Sequence, residues 1–254
     1  MGKVIAIANH KGGVAKTTTA LNLGGAFVQL GKKVLLVDVD PQCNLTETVC
    51  PGEHEDTVFT AMLDGVPMKP VAIRGGFDII PGDKGLLSAD VVLSSEPYKN
   101  RAQILLKEGL EPLRALYDFI IIDCPPSRNI ITVNALVAAD EVIVPTLSEI
   151  LAVRGMKDMS NLVDLVRGSL NPGLRIAGLL LTQFGDRTIA ARKTVVYIEE
   201  IARFLNTKLF RTRIRKNVAI VESQMAGTDV FSDNPSAKAA QDYMALAKEY
   251  LEIS

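Results

Sequence analysis

The chain has 254 residues, 48% of them hydrophobic, with a mean hydropathy of +0.21, which is ample for one large α/β domain. With 28 basic and 29 acidic residues the net charge is −1, so overall charge indicates no particular class of partner. Three cysteines without a C-x-x-C pair do not predict a disulfide framework and fit a reducing cytosol.

Short apolar runs alternate with longer helical patterns along the whole chain. The runs lack polar alternation, which is typical of parallel strands buried on both faces. Strands are predicted at 3–8, 33–38, 77–80, 118–123, 141–145, 175–182 and 208–212. Helices are predicted at 16–30, 57–64, 99–116, 129–138, 149–169, 189–206 and 234–252. This order predicts an α/β fold with a mostly parallel, twisted sheet and helices on both faces, in one domain over residues 1–254.

The first predicted strand is followed by NHKGGVAKTT, residues 9–18. A glycine pair, Gly12-Gly13, precedes a helix predicted to begin near Lys16. Backbone N–H groups in such a loop, and at the helix N-terminus behind it, bind anions. The segment therefore predicts a phosphate-binding loop in which Lys16 reaches nucleotide phosphates and the Thr17 hydroxyl holds Mg²⁺. The alternative is a helix N-terminus with a flexible glycine pair and solvated lysines.

This loop departs from the common pattern G-x-x-x-x-G-K-[ST] at both glycine positions. In an alignment on the final lysine and threonine, those positions hold His10 and Ala15. An additional lysine, Lys11, stands just before the glycine pair. The departures leave three interpretations, a damaged nucleotide site, an accident of composition, or a different site built on the same loop.

Two later strands end in aspartates. VDVDPQCN places Asp38 and Asp40 two residues apart, and Pro41 then takes the chain into a loop. FIIIDCPPS places Asp123 after four apolar residues. A carboxylate at a strand end beside a phosphate loop can hold Mg²⁺ or orient an attacking water. We predict that Asp40 and Asp123 join Thr17 at a magnesium site; an Asx turn is the alternative for D-x-D-P.

Together the stretches NHKGGVAKTT, VLLVDVDPQCN and FIIIDCPPS resemble the deviant-Walker P-loop ATPases of the ParA/MinD group, and the resemblance covers nearly the whole chain. The loop of that group is x-K-G-G-x-x-K-[ST], which residues 11–17 satisfy. The resemblance implies a P-loop NTPase-like fold and slow hydrolysis of ATP with Mg²⁺. It also implies that Lys11 reaches the phosphates across an ATP-dependent sandwich homodimer, that Lys16 serves its own nucleotide, and that Asp40 activates water.

Two positions depart from the commonest form of the group. Ala15 replaces the glycine of KGGVGKTT, and a positive φ there would strain the backbone by about 1–3 kcal/mol. We expect ATP binding to survive this change. Residues 128–129 are Arg-Asn, where related sequences often have Leu-Gly. The residues predicted to bind ATP, the last four by position only, are Lys11, Gly12, Gly13, Val14, Ala15, Lys16, Thr17, Thr18, Gln183, Arg213, Lys216 and Asn217.

Charge is unevenly distributed along the chain. Residues 187–216 include nine basic and two acidic side chains, a net charge of +7. Such asymmetry predicts a phosphate-binding face, although a solvated helix and loop is the alternative. Resemblance to chromosomal Soj-like ParA proteins points to nonspecific double-stranded DNA, with Arg187 and Lys216 as counterparts of DNA-contacting arginines. The residues predicted to contact DNA are Arg187, Arg192, Lys193, Arg211, Arg213, Arg215 and Lys216.

The tail, SAKAAQDYMALAKEYLEIS, lacks the basic amphipathic helix of membrane-cycling MinD-like relatives. We therefore expect a cytoplasmic, nucleoid-associated partition ATPase without a membrane partner, stimulated by a centromere-binding ParB-like protein. Three alternatives stay open. They are a positioning ATPase for another cargo (microcompartment, chemoreceptor or flagellar), a MinD-like spatial regulator, and a module that holds ATP without turnover.

Overall fold

A computed structural model describes residues 1–149, 152–185 and 189–252, with the side chains of 152–154 and 189–193 left out. Its described residues form an eight-stranded sheet in the order β3-β4-β2-β5-β1-β6-β7-β8. Every pairing is parallel except that of β3 with β4. The strands are β1 (Lys3–Ile7), β2 (Val34–Asp38), β3 (Val71–Ala72), β4 (Asp78–Ile80), β5 (Phe119–Asp123), β6 (Glu141–Thr146), β7 (Arg175–Phe184) and β8 (Leu209–Arg215).

Helices connect these strands and cover both faces of the sheet. They are α1 (Lys16–Gln29), α2 (Asn44–Val49), α3 (Val58–Asp64), α4 (Ala89–Leu93), α5 (Leu105–Leu110), α6 (Ile130–Ala138), α7 (Ala152–Ser169), α8 (Ile189–Phe204), α9 (Val218–Met225), α10 (Val230–Asp233) and α11 (Lys238–Leu251). The fold confirms the predicted mostly parallel α/β class.

Strand β1 shows why its residues are apolar without alternation. Val4 and Ala6 belong to a core that contains residues of α3 to α8, whereas Ile5 and Ile7 belong to a second core that contains residues of α1, α10 and α11. Successive side chains of a strand point to opposite faces, so a strand covered on both sides needs apolar residues at every position. β1 therefore lies in the middle of a three-layer structure.

Some predicted boundaries were wrong. The single helix predicted at 99–116 is the short helix α5 followed by a 3₁₀ turn at 111–115. Pro112 stands at the start of that turn, and proline has no N–H to continue an α-helical ladder. The predicted strand 208–212 continues to Arg215. The short elements β3, α2, α4, α9 and α10 were not predicted, because segments of two to eight residues carry too little periodicity.

The strand order brings the polar strand ends together. β5 lies between β1 and β2, and its last residue, Asp123, is in register with Ile7 on one side and with Asp38 on the other. The loops that leave these three strands therefore begin side by side at the carboxyl edge of the sheet. In open α/β sheets, this edge is where ligands bind.

Candidate nucleotide site

The loop between β1 and α1 turns through two left-handed residues. Gly13 has φ 72°, and Ala15 has φ 63° and ψ 40°. Ala15 precedes the first residue of α1, Lys16, and makes no side-chain capping hydrogen bond. A β-carbon disfavours this conformation, so the alanine methyl strains the loop at the point where the helix N-terminus opens toward an anion.

Substituting Ala15 by glycine is expected to tighten ATP binding or speed turnover by less than about tenfold. Relief of the left-handed strain favours the folded loop by about 1–2 kcal/mol. The greater conformational freedom of glycine in the unfolded chain offsets part of that gain. Isothermal titration with ATP measures the change. Asn206→Gly is the control, because Asn206 also has a positive φ, of 51°, but lies near the amino edge of the sheet between α8 and β8. A wild-type chain that binds no ATP would contradict this expectation.

Lys16 is buried at the start of α1 and points back over the loop. Its Nζ donates a hydrogen bond to the backbone oxygen of Lys11 at 3.3 Å. Burial lowers the pKa of Lys16, while the charges of Asp123 and Asp40 act in the opposite direction. The loop therefore encloses a buried lysine amine close to two aspartates.

Asp123 is a fully buried carboxylate. Neither of its oxygens makes a well-formed hydrogen bond with any described residue. Burial, and then the charge of Asp38, raise its pKa well above the ordinary value; the nearby Thr17 hydroxyl and the charge of Lys16 offset part of that effect. A carboxylate without a partner, next to a threonine hydroxyl, fits the oxygen ligands that Mg²⁺ prefers.

The two aspartates of D-x-D-P have different surroundings. Asp38 accepts hydrogen bonds from the backbone N of Asp40 at 3.1 Å and from both the backbone N and the hydroxyl of Thr46, at 2.9 and 2.7 Å. Burial raises the pKa of Asp38 to about 6. Asp38 thus holds the end of β2 to α2. Asp40 accepts from the backbone N of Gln42 at 2.9 Å, an Asx turn that uses one of its oxygens.

The remaining loop residues surround this centre. Thr182 donates to the backbone oxygen of Val14 at 3.1 Å, and Gln183 Nε2 donates to that of Gly13 at 2.9 Å, which ties the loop to the end of β7. A β-carbon on Gly12 would contact nothing within 4 Å. The Nζ of Lys11 pairs with Glu149 Oε2 at 2.6 Å, on the exposed side of the loop.

A cavity of about 430 Å³ opens beside the loop, a volume typical of small-molecule sites. Four predicted ATP-binding residues besides Ala15 line it, and they are Thr18, Gln183, Lys216 and Asn217. Arg213 is not among the lining residues; its guanidinium lies 4.8 Å from the centre of the Phe184 ring. The walls of this cavity are mostly apolar, which suits the planar base of a nucleotide.

Helix α9 supplies part of this cavity that sequence reasoning missed. Val218, Val221 and Gln224 line it, and Gln224 Nε2 lies 3.3 Å from Thr18 Oγ1. The sequence carried one signal for the start of this helix, because asparagine before an apolar run favours a helix start. In the structure Asn217 caps the helix by accepting from the backbone N of Ala219 at 2.9 Å.

Two of the residues predicted to contact DNA are paired with acidic side chains of the same chain. Arg211 on β8 lies 3.1 Å from Glu252, and Arg215 lies 2.6 Å from Asp242 of α11. These contacts give both arginines a role in holding α11 to β8. Lys216 is exposed beside the nucleotide cavity. The described part of the chain does not include Arg187 or the side chains of Arg192 and Lys193.

We expect Arg215→Ala to lower the free energy of unfolding by about 1–3 kcal/mol. Asp242 is buried and accepts hydrogen bonds from both the side chain and the backbone N of Arg215. Removing the guanidinium therefore leaves the buried carboxylate with the backbone hydrogen bond but without the positive charge that offsets its own. Urea denaturation measures the loss. Arg74→Ala, an exposed arginine before β4, should have little effect. Weaker DNA binding at unchanged stability would contradict this structural role.

The parallel sheet, the loop at its first strand and the strand-end carboxylates define a P-loop nucleotide-binding protein. A family model described as an AAA domain matches residues 2–176. The chain belongs to the ParA/MinD family, as the resemblance of its motifs predicted.

Relatives and a solved structure extend this similarity to the full length. The chain is 38% identical to the sporulation initiation inhibitor protein Soj of Bacillus subtilis over 255 residues, with 98% of each chain covered. It is 35% identical to the chromosome partitioning protein ParA of Myxococcus xanthus, covering 99% of this chain and 89% of that one. Cobyrinic acid a,c-diamide synthase from Mycobacterium smegmatis, solved with an ATP analog and magnesium, superposes with a TM-score of 0.85 at 30% identity, covering 99% and 95%.

Proposed function

We propose that this chain is a ParA-type partition ATPase that binds ATP with Mg²⁺ at the loop before α1. The buried carboxylate of Asp123 carries the proposal. Neither of its oxygens forms a well-aligned hydrogen bond with a described residue, and a buried carboxylate in that state is stabilised by a cation. Lys16 and Thr17 adjoin it. A similar structure with a bound ATP analog and magnesium supports the same ligands here.

Each residue of the site has a defined part in hydrolysis. Lys16 neutralises charge on the phosphates, and Thr17 and Asp123 hold the metal, Asp123 in part through water. Mg²⁺ held by these residues would supply further neutralisation of the phosphate charge. Asp40, which lies in the turn after β2, orients the attacking water. Catalysis by positioning and electrostatics of this kind gives slow turnover until a partner completes the site.

We further propose that Lys11 acts across a homodimer. In the single chain it lies on the exposed side of the loop, paired with Glu149 rather than turned inward. An exposed ion pair of this kind contributes little stability, so it can be exchanged for a phosphate of a nucleotide held by a second copy. ATP then bridges the two copies, and hydrolysis separates them.

The proposed dimer binds double-stranded DNA nonspecifically. Two copies double the number of cationic contacts to phosphate, so DNA affinity follows the ATP state. Lys216 and Arg213 lie at and beside the nucleotide cavity and are the described candidates for this contact. A centromere-binding ParB-like partner stimulates hydrolysis and releases the DNA, and the cytoplasmic protein collects on the nucleoid. No helix within the described ranges is both long and apolar enough to cross a bilayer.

DNA binding with ATP, with ADP and without nucleotide tests the proposal. ATP is expected to tighten binding at least about tenfold, and raising KCl from roughly 50 to 200 mM to weaken it by a similar factor or more. Lys216→Glu should abolish binding, whereas Lys107→Glu, an exposed lysine on α5, should not. ATP binding is measured for both variants. DNA binding that is independent of nucleotide would refute the switch.

A further inference from the structure

Three segments meet at the start of the phosphate loop. They are the loop itself at His10, the segment 124–129 that follows Asp123, and helix α7. A β-carbon on Gly155 of α7 would lie 2.8 Å from Asn9 Oδ1, so this helix packs directly on the loop. Movement of segment 124–129 is therefore confined by α7 and by the phosphate loop together. We call this meeting point the α7 junction.

One ion pair ties segment 124–129 to α7. Arg128 Nη2 lies 2.6 Å from Asp158 Oδ1. The Arg128 side chain is 54% exposed and that of Asp158 is 33% exposed, so the pair lies at the rim of the α7 junction, where salt can screen it. A neutral side chain at position 128 could not make this contact.

Hydrogen bonds hold segment 124–129 to β1 and to α6. The backbone N of Cys124 donates to the backbone oxygen of Ile7 at 3.3 Å, and Thr132 Oγ1 donates to that of Ser127 at 2.7 Å. Both ring nitrogens of His10 and the Ser127 hydroxyl are buried and form no well-aligned hydrogen bond with any described residue. The backbone carbonyls of Ser127 and Asp158 lie beside the His10 ring. Burial, followed by the charge of Arg128, lowers the pKa of His10, and a neutral ring supplies one donor and one acceptor. The ion pair adds a side-chain tie from segment 124–129 to α7.

We propose that Arg128 is a positioning residue whose ion pair with Asp158 holds segment 124–129 against α7, in the arrangement from which this chain hydrolyses ATP. The inference rests on the proposed ATPase function. The sheet fixes the start of the segment, because Asp123 is paired with both β1 and β2. Pro125 and Pro126 stiffen the backbone from there to Arg128, so the tie to α7 sets the course of the segment beside the phosphate loop.

Steady-state ATP hydrolysis without DNA tests the proposal. Arg128→Leu and Asp158→Asn are each expected to lower kcat about fivefold, with KM for ATP changed less than about twofold. The exchange Arg128→Asp with Asp158→Arg should restore most of the rate. High KCl should bring the wild-type rate toward that of Arg128→Leu, because salt screens the pair.

Arg167→Leu is the matched control, because Arg167 forms an exposed ion pair with Asp164 on the same helix and does not reach segment 124–129. Its kcat is expected to equal the wild-type value. Unchanged rates in Arg128→Leu and Asp158→Asn, or no recovery in the exchanged pair, would overturn the positioning role. A wild-type chain that binds ATP but does not hydrolyse it would instead overturn the proposed function.

Discussion

Lys16→Ala is expected to abolish ATP hydrolysis, with a loss of at least about 100-fold, and to abolish ATP-dependent dimerisation. The ammonium group is buried over the loop and is the charge that the proposed site would place against the phosphates. Its removal also leaves Asp123 and Asp40 without the cation that offsets their charge. Phosphate release and light scattering with ATP measure the two losses.

Lys33→Ala is the matched control for this variant. Lys33 is exposed and immediately precedes β2, at the amino edge of the sheet opposite the site. Its removal should change neither hydrolysis nor dimerisation. Circular dichroism checks that both variants fold. Hydrolysis by Lys16→Ala within tenfold of the wild-type rate would mean that phosphate is not bound at this loop.

Asp123→Asn is expected to make the chain more stable and nearly inactive. A neutral amide of the same shape removes the cost of burying an unpartnered charge, which we put at about 1–3 kcal/mol in the absence of Mg²⁺. Burial, and then the charge of Asp38, raise the pKa of Asp123. This shift also indicates that the folded chain disfavours the charged form, so it predicts the same gain in stability. Loss of the carboxylate should weaken magnesium binding about 10- to 100-fold.

Thermal unfolding with and without Mg²⁺ separates these effects. Wild type should gain stability from Mg²⁺ with ATP, and Asp123→Asn should gain much less. Asp118→Asn is the control at the opposite end of the same strand, where Asp118 accepts a hydrogen bond from the backbone N of Lys33 at 2.8 Å. A less stable Asp123→Asn variant that still hydrolyses ATP would show that this carboxylate has a structural role.

Much of the site followed from local patterns. Lys16, Thr17 and Asp123 were predicted because each stands at the junction of an apolar strand with a loop, and parallel strands bring such junctions to one edge. The strain expected at Ala15 if its φ were positive also followed, because Ala15 has a φ of 63°. Strand runs were recognisable because both faces of the sheet are covered, which requires apolar residues throughout.

Other features required knowledge of distant neighbours. Asp38 and Asp40 look equivalent in D-x-D-P, and each accepts from the backbone N two residues on, yet Asp38 is also bound by Thr46. Arg211 and Arg215 belong to a basic run by sequence, but Glu249 and Asp242 of the distant helix α11 supply carboxylates that pair with them. Charge counted along a chain does not record which opposite charges fold onto it.

By itself the sequence determined the α/β class, the phosphate loop and the membership of the ParA/MinD family, because these depend on local periodicity and on contiguous motifs. Only the tertiary structure decided that Asp123 is fully buried beside Thr17, that α9 forms a wall of the nucleotide cavity, and that Arg128 meets Asp158. Each of these contacts joins segments distant in the chain. Their geometry arises when the sheet and its two helical layers pack together, so no local pattern encodes it.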